Sequence, residues 1–165
     1  MPTRMVVLSA TANHFTPVAL SSAHMSMSPA ELLRFLNRTQ PALVGVVGTV
    51  RQNGSPHVVP VWYRWDGEAV FVWTDEGRGW VQNLLRDRRV AFSVQEPEAP
   101  FAAVVMHGEA EVRTSGDPET EAEIRRITAR YIEEAQVDEY IAGWAELRTI
   151  LTIRPSSINS WGRGY

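Results

Sequence analysis

The stretch Gly77-Arg78-Gly79-Trp80 sets a guanidinium between two glycines. Glycines let backbone N–H groups approach an anion, and a planar guanidinium beside the start of a helix completes a phosphate-type contact. Three residues are a short pattern, and an exposed loop arginine has the same sequence. The second chemical feature is aromatic. Of six tryptophans, four (Trp62, Trp65, Trp73 and Trp80) crowd into nineteen residues. Large amphipathic rings suit both stacking on a planar ligand and an interface between subunits. In a strand, Trp62 points away from the face shared by Val61 and Tyr63. One set faces the core, and the other meets ligand, partner or water. Trp65, next to Asp66-Gly67, reads as ordinary packing at a strand end.

Other chemistries are poorly supplied. The four histidines, His14, His24, His57 and His107, stand singly, without the i, i+3 or i, i+4 partners of metal sites, so no metal centre is expected. With no cysteine, disulfides, thiolate nucleophiles and Cys-ligated metals are excluded. No Ser, His and Asp arrangement carries a nucleophile-elbow signature, and Glu109 with Glu111 on one strand face makes no hydrolytic pair. Residues 119, 121, 123, 133 and 134 read as the wet side of a helix. The run Arg86-Asp87-Arg88-Arg89 reads as a solvated helix end, its cations near the C-terminal dipole. No catalytic acid or base is visible, so the catalytic residues stay unassigned.

A formal charge of −3, from 16 basic and 19 acidic residues, gives no field to draw nucleic acid or an anionic membrane. Any anion must be held locally. Met5–Ala12 is mildly apolar but interrupted by Ser9 and Thr11, and no run approaches the roughly 18 apolar residues of a membrane span. The expectation is a cytoplasmic protein without a signal peptide. Its 165 residues fit one domain.

The elements that position these residues are short. Residues 1–27 lack a period of two or 3.6 and read as a flexible extension, leaving 28–165 as the domain. Ser28-Pro29-Ala30-Glu31 is a cap, a helical first proline and a glutamate three residues on, which predicts a helix to about Asn37. Strands follow over Ala42–Val50, His57–Trp65 and Glu68–Thr74, with turns at Asn53-Gly54 and Asp66-Gly67. Adjacency makes them an antiparallel meander. A short helix is expected over Trp80–Arg86, then strands Arg89–Gln95 and Phe101–Thr114. Asp117-Pro118 caps a helix carrying Ile124, Ile127, Tyr131 and Ala135, and a second short helix covers Asp138–Trp144. A last strand, Arg148–Arg154, ends at Pro155. This is a mainly β chain with short helices (α+β), best closed as a six-stranded antiparallel barrel.

Several pieces resemble a known family: Gly45–Thr49, Asn53-Gly54-Ser55-Pro56, Val59-Pro60-Val61-Trp62-Tyr63, Val70–Thr74 and Asn83-Leu84-Leu85-Arg86-Asp87-Arg88-Arg89-Val90. The ending Leu151-Thr152-Ile153-Arg154-Pro155, with Trp161 beyond it, is also similar. In order and spacing they resemble the pyridoxamine 5′-phosphate oxidase-like superfamily, and within it the flavin/deazaflavin oxidoreductases. The resemblance implies a split-barrel homodimer, FMN-binding-protein-like in fold, with cofactor sites at the subunit interface. Carried over, Pro60, Val61 and Trp62 would line the ring, and Trp73 and Thr74 would lie near the ribityl–phosphate chain. Arg78, Gly79 and Trp80 would form the phosphate step, and Trp161, with Arg163, would close over the cofactor. Asn83 matches a family asparagine that either meets the ligand or fixes the loop. Many relatives have a lysine where this chain has Gly79-Trp80. Either Arg78 takes over the phosphate, or phosphate recognition has weakened or vanished.

Two functions follow from the resemblance. One is an oxidoreductase using coenzyme F420, with FMN as the close alternative, to deliver hydride to a small conjugated or heteroaromatic substrate. Arg51 or the basic residues near 86–89 would then meet the deazaflavin's anionic tail. The other is a non-catalytic barrel binding flavin, haem or another planar ligand, since fold does not settle function.

Overall fold

The computed structural model describes residues 26–114, 116–144 and 147–162. Residues 1–25, most of the expected extension, lie outside the described residues. Helix α1 (Pro29–Leu36) begins where the cap signature places it: Ser28 Oγ accepts from the Glu31 N–H, and the Glu31 carboxylate accepts from the Ser28 N–H at 2.8 Å. Strands β1 (Gly45–Val50) and β2 (Pro56–Val61) form a hairpin whose turn turns on Gly54, at φ 82°. A second hairpin joins β3 (Arg64–Trp65) to β4 (Val70–Asp75). Then come α2 (Gly79–Arg86), β5 (Arg89–Gln95), β6 (Ala103–Thr114) and α3 (Pro118–Thr128). A 3₁₀ turn (Glu134–Gln136), α4 (Val137–Ala142) and β7 (Arg148–Trp161) complete the order. Asp117 caps α3, accepting from the Thr120 N–H at 2.9 Å.

The result is an antiparallel, curled sheet with short helices, consistent with a split barrel, but its strands number seven, in the order β2-β1-β5-β6-β7-β4-β3. Two expectations are corrected. The continuous strand His57–Trp65 breaks at Trp62-Tyr63, so β2 and β3 are consecutive in sequence yet occupy opposite ends of the strand order. The simple three-stranded meander is therefore replaced by two hairpins, with β4 pairing β7. The last strand does not stop at Pro155. It continues to Trp161 because Pro155 falls opposite Gly108 at a register shift, where a missing N–H is tolerated.

Alternation places Val47, Phe92, Val104, Met106, Leu151 and Ile153 inside the curl, fully or almost fully buried, with Leu36 of α1 and Leu84 of α2 closing over them. A second apolar cluster, Trp73, Ile124, Ile127 and Ile150, joins α3 to β4 and β7. Trp65 is buried in the main core. Among the described residues, no helix is long and apolar enough to cross a membrane.

Gly108 is required by the bulge: a Cβ there would lie 2.1 Å from the Arg154 carbonyl oxygen. Gly108→Ala should destabilise the protein by about 1–3 kcal/mol or more in urea denaturation. Gly77→Ala, where a Cβ meets nothing within 4 Å, should stay within about 0.5 kcal/mol of the wild type.

Candidate functional site

Where the chain leaves the sheet at Trp62-Tyr63, ladder partners are lost, and the residues following α3 replace them. The Tyr63 N–H donates to Tyr131 Oη at 3.1 Å, and the Arg130 guanidinium donates to the Tyr63 carbonyl. Tyr131 Oη donates to the Leu43 carbonyl at 2.8 Å. Tyr63 Oη and Arg130 both donate to the Leu36 carbonyl, at 2.8 and 2.9 Å. Burial pushes the Tyr63 hydroxyl well above the usual phenol range, more than the nearby Arg130 charge lowers it. Burial raises Tyr131 as well, against the opposing effects of its bond to Tyr63 and of Arg130.

Val61 and Tyr63 face the core, and Trp62 faces out. Its ring packs against its own chain. The Tyr131 ring is stacked on it at 4.8 Å and 3°, and the Tyr140 ring at 5.0 Å and 24°. Trp73 is held by a hydrogen bond from its Nε1 to Thr128 Oγ1 at 3.1 Å and by an edge contact with Trp144 at 5.0 Å.

These residues wall a groove of about 560 Å³ that gathers Pro60, Val61, Trp62, Trp73, Thr74, Arg78 and Trp80. Its further lining includes His57, Tyr140 and Trp144. The volume falls within the roughly 300–1,000 Å³ of small-molecule sites. Arg78, in the N-cap position of α2, is exposed, bonds the Asp75 carboxylate at 3.0 Å and lies 5.7 Å from the Trp144 ring. A second hollow of about 710 Å³ contains the expected Gly79 and Asn83 together with Arg51 and Arg86, and shares His57 and Trp80 with the first. Asn83 is buried and donates to Thr49 Oγ1 at 3.1 Å, fastening α2 to β1.

The expected residues thus divide between two adjoining hollows, except Trp161. Within one chain, Trp161 lines a separate depression with Met27, Leu32 and Ile158. It sits on β7 opposite Ala103, so the presumed tail after Pro155 is a strand. Arg163 lies outside the described residues. The basic run is spent locally: Arg86 donates to the Val50 carbonyl, Arg89 bonds Asp87 at 2.7 Å, and Arg88 lies 3.9 Å from Glu109. Glu123 is not on the wet side of its helix. It is buried between Arg64 and Arg126, and the ion pair to Arg64 ties α3 to β3. Tyr140 and Trp144 are among the lining residues not anticipated, with Val44, His57 and Val59. For the two rings the signal was three aromatic residues, with Tyr131, within a short acidic stretch. Among the described residues, no three His, Asp or Glu side chains form a group that could hold a metal.

The chain belongs to the pyridoxamine 5′-phosphate oxidase family, whose model matches residues 29–162. A structure described as an F420 reductase is 29% identical, with a TM-score of 0.58, covering 75% of this chain and 92% of that one. The conserved hypothetical protein Rv2991 of Mycobacterium tuberculosis is 26% identical, with a TM-score of 0.67 and coverage of 86% and 89%. A haem-binding protein of Mycobacterium smegmatis shares the fold at 23% identity and a TM-score of 0.59, covering 84% of this chain and 55% of that one. No curated protein matches the sequence.

The two raised tyrosines set an alkaline limit. Below a pH of about 10 they are neutral in both states. Above it the unfolded chain ionises while the folded one resists, so the stability they contribute is lost as pH rises. Denaturation midpoints should fall above pH ~10. Tyr131→Phe should flatten that fall while costing about 1–3 kcal/mol at neutral pH, because buried partners lose their bonds.

Proposed function

We propose that the protein is an oxidoreductase that holds a flavin-type cofactor in this groove, coenzyme F420 with FMN as the close alternative, and exchanges hydride with a small conjugated or heteroaromatic substrate. The observation that carries this reading is the pairing of hollows. An aromatic groove suited to a planar ring adjoins, across His57 and Trp80, a hollow lined by Arg51 and Arg86. A ring with an anionic chain matches that order of chemistry. The similarity to an F420 reductase supports the same choice, and the second hollow favours the cofactor with the longer anionic tail.

The residues fit such a group. Pro60 and Val61 form an apolar strand wall, and Arg78 offers a guanidinium at the groove's edge, shared with Asp75. When bound, the cofactor supplies the redox chemistry, and the protein's part is to bind, orient and exclude water. That division suits a site in which no catalytic acid or base was read from the sequence.

A homodimer belongs to this reading. Val46, Val58 and Pro60 share the outward face of β1 and β2, and Val58 is 67% exposed. An apolar sheet face of this kind is suited to a second subunit. Trp161, remote from the groove within one chain, joins the site only if a second subunit supplies it. Sedimentation at micromolar concentration should give a dimer, and a stable 18.5 kDa species would remove the shared-site arrangement.

The deciding experiment is equilibrium titration of the protein with F420, FMN and riboflavin, followed by turnover with candidate acceptors. Binding of F420 or FMN with hydride transfer supports the reading. A haem spectrum, or binding without turnover, favours the non-catalytic barrel. Arg78→Ala should weaken F420 and FMN about ten- to a hundredfold, as expected for a charge-assisted contact, and riboflavin, which lacks phosphate, much less. Equal losses for all three would make Arg78 a support of the loop.

A further inference from the structure

Arg78 stands at the turn between β4 and α2, in the N-cap position, and its side chain makes no cap bond there. Two neighbours of opposite character hold its guanidinium instead. The Asp75 carboxylate accepts from one terminal nitrogen at 3.0 Å. The guanidinium carbon lies over the Trp144 ring, 5.7 Å from its centroid, within the roughly 6 Å at which an indole attracts a cation. Trp144 is itself fixed: it meets Trp73 edge-on at 5.0 Å and Tyr140 at 5.9 Å, and Trp73 Nε1 is bonded to the buried Thr128. A long, exposed side chain thus rests on a ring that the second apolar cluster keeps in place. Both Arg78 and Trp144 line the aromatic groove.

The two neighbours act differently on an arriving anion. Asp75 orients the guanidinium but sets a negative charge beside it, which opposes a second one. Trp144 orients it without adding charge. A guanidinium has several N–H donors, of which the Asp75 bond uses one. A ring beneath the cation engages its charge and leaves the other donors to oxygen acceptors. An arginine already seated also loses less conformational freedom on gripping a ligand than one that must first be ordered. We infer that Trp144 is a positioning residue for the anion: it acts through Arg78, holding the guanidinium where it meets the phosphate of a flavin-type cofactor. This rests on the reading of Arg78 given above.

The measurement is a ratio of affinities for probes with and without the phosphate, FMN against riboflavin and F420 against its phosphate-free deazariboflavin core, titrated on the full chain. The ratio cancels whatever both members of a pair lose when the groove wall is truncated. Trp144→Ala should lower it about two- to fivefold. Trp144→Leu, which keeps an apolar wall without a π-face, should lower it alike, and Trp144→Phe, which keeps a ring, should restore most of it. In an Arg78→Ala background, Trp144→Ala should leave the ratio where Arg78→Ala put it, because two residues acting as one unit are not additive. An unchanged ratio in both Trp144→Ala and Trp144→Leu would make Trp144 a part of the wall only and overturn the inference. A further fall in the Arg78→Ala background as large as in the wild type would mean that Trp144 acts apart from Arg78, which overturns it too. If Arg78→Ala leaves the ratio unchanged, or the wild type binds none of the four probes, the phosphate reading of Arg78 falls and takes this inference with it, whereas a ratio that responds to Arg78 and not to Trp144 removes this inference alone.

Discussion

A sheet that curls until its edges approach one another must carry its chain from one edge to the other, and here Trp62 and Tyr63 make that passage. Residues in transit lose ladder partners inside an interior with little water, where an unpaired backbone group costs about 1–3 kcal/mol. The segment after α3 answers this, with Tyr131 meeting the Tyr63 N–H and Arg130 the Tyr63 carbonyl. Arg130 and Tyr63 Oη also meet the Leu36 carbonyl. One small knot therefore fixes α1, the β2–β3 passage and the end of α3. The buried Glu123–Arg64 pair adds a second tie between α3 and β3. A buried ion pair is weak proof of stability, but removing either partner would strand a charge, which makes the placement specific.

The aromatic wall follows from that knot. With the passage pinned, Trp62 projects outward and Tyr131 lies flat on it. The α4 segment then adds Tyr140 and Trp144. Two kinds of contact around α4 differ in size. The Arg125 pairs to Glu134 and Asp138 are exposed, with the carboxylates 70% and 79% accessible, and such pairs contribute about 0–1 kcal/mol. Ring contacts contribute about 0.5–1.5 kcal/mol each beyond the area they bury, and Tyr140 alone touches Trp62, Trp73 and Trp144. Packing outweighs charge. The rings that wall the groove are therefore also what fastens α4 in place.

Much of this was legible in the residues. The Ser28 and Asp117 caps, the Asn53-Gly54 turn and the short β-branched runs are local signals, and the structure contains each of them. The break at Trp62-Tyr63 was not legible, because His57–Trp65 reads as one continuous run of strand-forming residues and the break is imposed by closure with strands far along the chain. Pro155 misled in the opposite direction: its missing N–H is a stop signal until a bulge at Gly108 absorbs it. Residues 60–62, 73–74, 78 and 80, named from the resemblance and from the Gly77-Arg78-Gly79 pattern, line one groove. Tyr140 and Trp144 were not named, since aromatic residues at helical spacing read equally well as core.

The two walls of the groove differ in kind, and that difference bears on what each can determine. Pro60, Val61, Trp73 and Thr74 belong to β2 and β4, whose backbones are committed to ladders with β1 and β7. Changing them perturbs the barrel: Trp73 and Thr74 are buried, and Trp73 is bonded to Thr128. Tyr140 and Trp144 stand on and just after a helix of six residues that takes no part in the sheet. Their side chains can vary in size without breaking a ladder hydrogen bond, although Tyr140 must still cover Trp62. The strand wall is thus suited to a constant task and the α4 wall to a variable one, which under the proposed function are holding the cofactor and shaping what is admitted beside it.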